Sequence, residues 1–121
     1  MPEEPPSQGT ADRSIQTSLH ALAQVLREAH HLEPESQEAL ANLVDELSKA
    51  LTPAALASSE TAHLATTAAG LARALHQEAS PSLLAAAKER LEQAALRAET
   101  EAPLATGIAR RMVDLLADLG I

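Results

Sequence analysis

The stretch "PSLLAAAKERLEQAALRAETEAPLATGIARRMVDLLADLGI", residues 81–121, decides the fold class. Leu84, Ala87, Leu91, Ala94 and Ala98 recur at alternating spacings of three and four, as do Ala105, Ile108, Met112, Leu115 and Leu119. An α-helix brings residues at those spacings onto one face. Ser80 then reads as an N-cap, and Pro81 and Pro103 as first helical residues, where a missing N–H costs nothing. At the far end, Gly120 suits the left-handed C′ position. Ile121 is then C″, folding back on Leu116 or Leu115 as an apolar plug. Leu116, Gly120 and Ile121 are the candidate C-cap.

The same grammar extends upstream. Ile15, Leu19, Leu22, Leu26 and Ala29 mark a helix over about 11–30. Leu40, Leu43, Val44, Leu47 and Leu51 mark a second over about 34–51, opened by Pro34. Thr52 and Pro53 open a third over 53–79, with Leu56, Leu64, Ala68, Leu71 and Leu75 on one face. Its weak point is Ala57–Ser59, where it could divide. Gly70 costs about 1 kcal/mol against alanine inside a helix, and its place between Ala69 and Leu71 suggests a close backbone crossing. Helices over 81–101 and 103–119 follow. Residues 1–10, with three prolines and little that is apolar, read as a disordered tail. The expectation is one all-α domain over 11–121. It is an antiparallel bundle of four to five helices with short proline-marked turns and coiled-coil-like packing at shallow angles.

Composition supports this and narrows the function. There are 27 Ala and 20 Leu against three Ile and three Val, so the strongest helix formers dominate. Without cysteine there is no disulfide, thiolate nucleophile or cysteine zinc site. Without Phe, Tyr or Trp there is nothing to stack on bases. The net charge is −8, with ten acids and three bases in residues 1–60 against seven and six in 61–121. Such acidity argues against nucleic acid and anionic membrane surfaces. An acidic, proline-rich start is the opposite of a secretory signal, and no stretch of about 20 apolar residues could span a membrane. A cytoplasmic location is the default.

No motif carries chemistry. The five histidines are His20, His30, His31, His63 and His76, and none forms the three- or four-residue pair of a helical metal site. A di-iron bundle needs Glu-x-x-His motifs on two facing helices plus further Glu, and Glu28 with His31 sits at a helix end, so no di-iron site is expected. Neither G-x-S-x-G nor S-x-x-K occurs, nor any phosphate loop. No catalytic, cofactor-binding or metal residue is expected, and no cofactor. Arg110 and Arg111 could pair with the acidic N-terminal half, although an ordinary solvated surface is the simpler reading.

Residues 90–121 and, less specifically, "SLHALAQVLREAHHLEPESQEALANLVDELSKAL" resemble an uncharacterised bacterial family of short helical proteins, domain of unknown function 4404. Pro103 matches the family's opening proline, and Leu119, Gly120 and Ile121 match its close. Against shorter members, residues 53–80 look like an insertion. The resemblance implies a helical design and brings no activity or ligand.

The core looks thin for one chain, so self-association is expected to complete it, a dimer being favoured. Leu64, Ala68, Leu71, Leu75, Ile108, Met112, Leu115 and Leu119 are the candidate packing or oligomer face. The leading expectation is a non-enzymatic helical interaction protein that packs against itself or a partner helix. One alternative is an amphipathic coat on a lipid or polymer surface. The other is an unrecognised small-ligand binder or enzyme.

Overall fold

The computed structural model describes residues 8–28 and 33–121, which form six helices and no strand. These are α1 (Gln8–Arg27), α2 (Pro34–Ala50), α3 (Pro53–Leu56), α4 (Ser59–His76), α5 (Pro81–Ala98) and α6 (Pro103–Asp118). The protein is an all-α bundle. α1 starts at Gln8, inside the span read as a tail. The rest of that tail and the expected last turn of the first helix, with His30 and His31, lie outside the described residues.

The helix expected over 53–79 is two helices, which takes the number from five to six. The physical reason lies at Ser58. Its backbone is extended, at φ −77° and ψ 134°, so it cannot continue α3. Its hydroxyl accepts from the Thr61 N–H at 3.4 Å and donates to the Glu101 carboxylate, so the break is capped and tied to the α5–α6 turn. Similar caps open other helices. Thr52 accepts from Ala55 N–H at 3.2 Å and Ser80 from Leu83 N–H at 3.3 Å, each followed by proline.

The five long helices form a closed ring in the order α1, α2, α6, α5, α4 and back to α1, each packed on two neighbours. Around a ring, helices can alternate in direction throughout only if their number is even. Five therefore force one parallel pair, and it is α1 with α4. Gln16, midway along α1, donates to the Leu51 carbonyl at the end of α2, while Arg27 at the end of α1 reaches back to Asn42. The two helices are therefore antiparallel, and α2 finishes toward the start of α1. From that end α3 touches both α1 and α4, carrying the chain across to start α4 beside the start of α1.

One apolar cluster fills the ring. Leu19 and Leu26 of α1, Leu40 and Leu47 of α2, Leu64 and Leu71 of α4, Leu91 of α5 and Met112 of α6 are all fully buried. Small residues complete it: Ala65, Ala68 and Ala72 of α4 face the interior with Ala94, Ala95 and Ala98 of α5. Short side chains let helices approach closely, which compensates for the missing aromatics. The core thus closes within one chain, and burial alone does not call for a second copy.

Two helices end in the same motif. At α6, Gly120 has φ +85°, its N–H donates to Ala117 O, and the Ile121 N–H donates to Leu116 O, both at 3.0 Å. Ile121 is half-buried against the core. This is a Schellman closure. α4 ends likewise, with Ala79 N–H donating to Ala74 O at 3.0 Å and Glu78 N–H to Leu75 O at 3.2 Å, but with Glu78 at φ 53° in the glycine position. Gly70 needs correction. It is exposed, and an added Cβ would meet nothing within 4 Å, so no backbone of the chain crosses it closely.

Candidate functional site

Of the eight residues expected to form a packing or oligomer face, Leu64, Ala68, Leu71, Leu75, Ile108 and Met112 are buried in the chain's own core. They pack the ring and are not available to a second copy. Leu115 and Leu119 are half-buried against the same cluster. The helical stripe identifies the inward face, and in a closed ring inward means internal.

The polar side chains gather along the α1–α2 seam. His20 Nδ1 lies 2.8 Å from Asp45 Oδ1, and Lys49 Nζ lies 3.4 Å from Asp45 Oδ2. The His20 hydrogen bond holds the Asp45 carboxyl below the usual carboxylate range, opposed by burial and helped by the Lys49 charge. A His–Asp pair orients a catalytic base only if the imidazole also faces a nucleophile. Here the Ser48 hydroxyl, 7% exposed with its residue, donates to the Asp45 carbonyl at 2.8 Å instead. The cluster reads as a staple between two helices, extended by Arg27 donating to Asn42 Oδ1 at 3.1 Å. Sequence reading noted His20 but did not pair it with Asp45, 25 residues away.

Arg111 reaches Glu46 of α2 at 3.7 Å, joining the basic group to the acidic half of the same chain, and Arg110 pairs with Glu99 at 3.1 Å. Among the described residues no three histidine, aspartate or glutamate side chains group as a metal site. His63 and His76 are exposed on α4. No described helix is long and apolar enough to cross a membrane.

Two surface grooves have both an apolar floor and an exposed leucine. The α5/α6 groove, about 320 Å³, is lined by Leu96, Val113, Glu92, Arg110 and Asp114. Leu96 is 63% exposed there. The α4/α5 groove, about 390 Å³, has Leu71, Ala74, Ala79 and Ala87 along it, with Gly70, Leu83 and Arg90 at its edges. Leu83 is 62% exposed. Neither was foreseen, because each needs two helices to be placed side by side.

The class is thus a small alanine-rich helical bundle with open grooves between neighbouring helices. The chain belongs to the family described as Domain of unknown function (DUF4404), which matches residues 42–121. The match begins inside α2 and takes in 53–80, the stretch that looked like an insertion. It leaves out α1. No curated protein and no solved structure matches the chain.

Proposed function

We propose that this is a non-enzymatic, cytoplasmic interaction protein that self-associates through its α5/α6 groove. The observation that supports this is the groove's self-complementary make-up. One exposed leucine is ordinary on a soluble protein. Leu96, however, stands beside Val113 with acids (Glu92, Asp114) and a base (Arg110) on the rim. In a two-fold dimer the same patch meets itself, so a rim of both signs can satisfy its copy. The surface-coat alternative would require the ring to open, since the apolar faces of the helices are buried in the core.

The test is light scattering over a concentration series on the wild type and Leu96→Glu. A dimer is expected for the former and a monomer of equal helicity for the latter. A wild type still monomeric at about 100 μM, where even a weak specific dimer should be populated, overturns the reading.

A further inference from the structure

We infer that the α4/α5 seam is a separate docking surface, shaped for an acidic amphipathic helix of another protein. Two rows of residues edge this seam, each at intervals of seven: His63, Gly70 and Gln77 on α4, and Leu83, Arg90 and Arg97 on α5. The helices are joined by a short turn and run antiparallel, so the rows face each other as rungs. Gln77 lies with Leu83, and Gly70 with Arg90, along one groove. His63 lies with Arg97 at the seam's far end. The rows span about 21 Å, enough for some four turns of a docked helix.

The charge here runs against the rest of the molecule. The chain carries 17 acids and 9 Lys and Arg residues. Its other described cationic side chains of Lys and Arg each have a polar partner: Arg27 with Asn42, Lys49 with Asp45, Lys88 with the Ile121 carbonyl, Arg110 with Glu99 and Arg111 with Glu46. Arg73, Arg90 and Arg97 have none among the described residues. All three lie on α4 and α5, and Arg73 lines the groove on the α1 side of α4. Among the described residues, Glu60 at the Arg97 end is the one acid lining these grooves. Unpaired cations along an apolar groove are complementary to an acidic helix with an apolar face.

The seam's smallness has the same direction. Gly70 weakens α4, and a Cβ added there would meet nothing within 4 Å, so its missing side chain leaves the groove open outward. A second copy fits poorly. Seam against seam would oppose four arginines, Arg90 and Arg97 of each copy. The chain's own acidic edge, with exposed Glu35, Glu38 and Glu46 on α2, lies across the ring from α4 and α5. A contact between those two sides would be head-to-tail and open-ended.

The experiment uses the full chain and two synthetic peptides. One is three repeats of Glu-Leu-Ala-Ala-Leu-Glu-Ala, and the other has Lys in place of Glu. Titration by fluorescence anisotropy should show the acidic peptide binding, weakening as salt rises, and the basic peptide not binding. Arg90→Glu/Arg97→Glu should weaken binding about tenfold or more. Gly70→Leu, which fills the groove from an exposed position, should do the same. Both variants should keep wild-type helicity and oligomeric state, which separates this site from the Leu96 groove. If Gly70→Leu misfolds, the arginine variant still decides. Equal binding of both peptides, binding indifferent to the arginine variant, or none at about 1 mM peptide overturns the inference. So does a change of oligomeric state in the arginine variant, which would make a second copy the occupant.

Discussion

Glu78 and Gly120 hold the same place in the same closing turn, and only one of them is glycine. Left-handed backbone crowds a Cβ, so the α4 closure carries strain that the α6 closure avoids. Gly120→Ala should lower stability by about 1 kcal/mol. The cost is backbone strain alone, because a Cβ at Gly120 meets nothing within 4 Å. Glu78→Gly should raise stability by about 0.5 kcal/mol, part of the relief being cancelled by the freedom glycine adds to the unfolded chain. Urea unfolding followed by circular dichroism reads both. Equal effects of the same sign would refute the shared motif.

Gly70→Ala should stabilise the protein by about 1 kcal/mol, since the added methyl group enters open space in the middle of a helix. A loss of stability would reveal a close neighbour at Gly70 after all. The same urea titration decides.

Thr61 is fully buried and its hydroxyl has no hydrogen-bond partner, whereas the buried Thr106 hydroxyl donates to Ala95 O at 3.4 Å. A buried, unsatisfied polar group costs about 1–3 kcal/mol. Thr61→Val keeps the shape and removes that group, so it should stabilise by about 1 kcal/mol. Thr106→Val should not. Equal responses at the two positions would count against the assignment.

Asp45 supplies a pH dependence. Its folded carboxyl titrates below the usual range, chiefly through the His20 hydrogen bond. Its stabilising effect is therefore present above the unfolded value, about 4, and is lost as pH falls through the lower folded value. Asp45→Asn should cost at most about 1 kcal/mol near neutrality, because the partners are largely exposed. The gap to wild type should close as pH drops below about 4. A gap unchanged between pH 7 and pH 3 would show that the pair does not act through charge.

How much of this was legible in the sequence follows from the range of each signal. Local devices read directly. Pro34, Pro53, Pro81 and Pro103 act within one turn, and the three- and four-residue stripes act within one helix. The weakness at Ala57–Ser59 was visible because serine caps compete with helix propagation at short range. What stayed hidden needs two elements at once. His20 meets Asp45 only after the α1–α2 hairpin has its register. The isolation of Arg73, Arg90 and Arg97 appears only when the other described Lys and Arg side chains have found their neighbours. Gly70 misled because a glycine inside a helix looks the same from sequence whether its open side faces the core or the solvent.

The odd membership of the ring sets a rule of arithmetic on the architecture. A bundle built from α2, α4, α5 and α6 alone would alternate perfectly, provided α4 swung across to sit against α2, which it already touches. The helix that prevents this is α1, wedged between them. It lies wholly outside the stretch that matches the family. Deleting one terminal helix would thus do more than shorten the protein. It would change the parity of the assembly and turn a frustrated pentagon into a square.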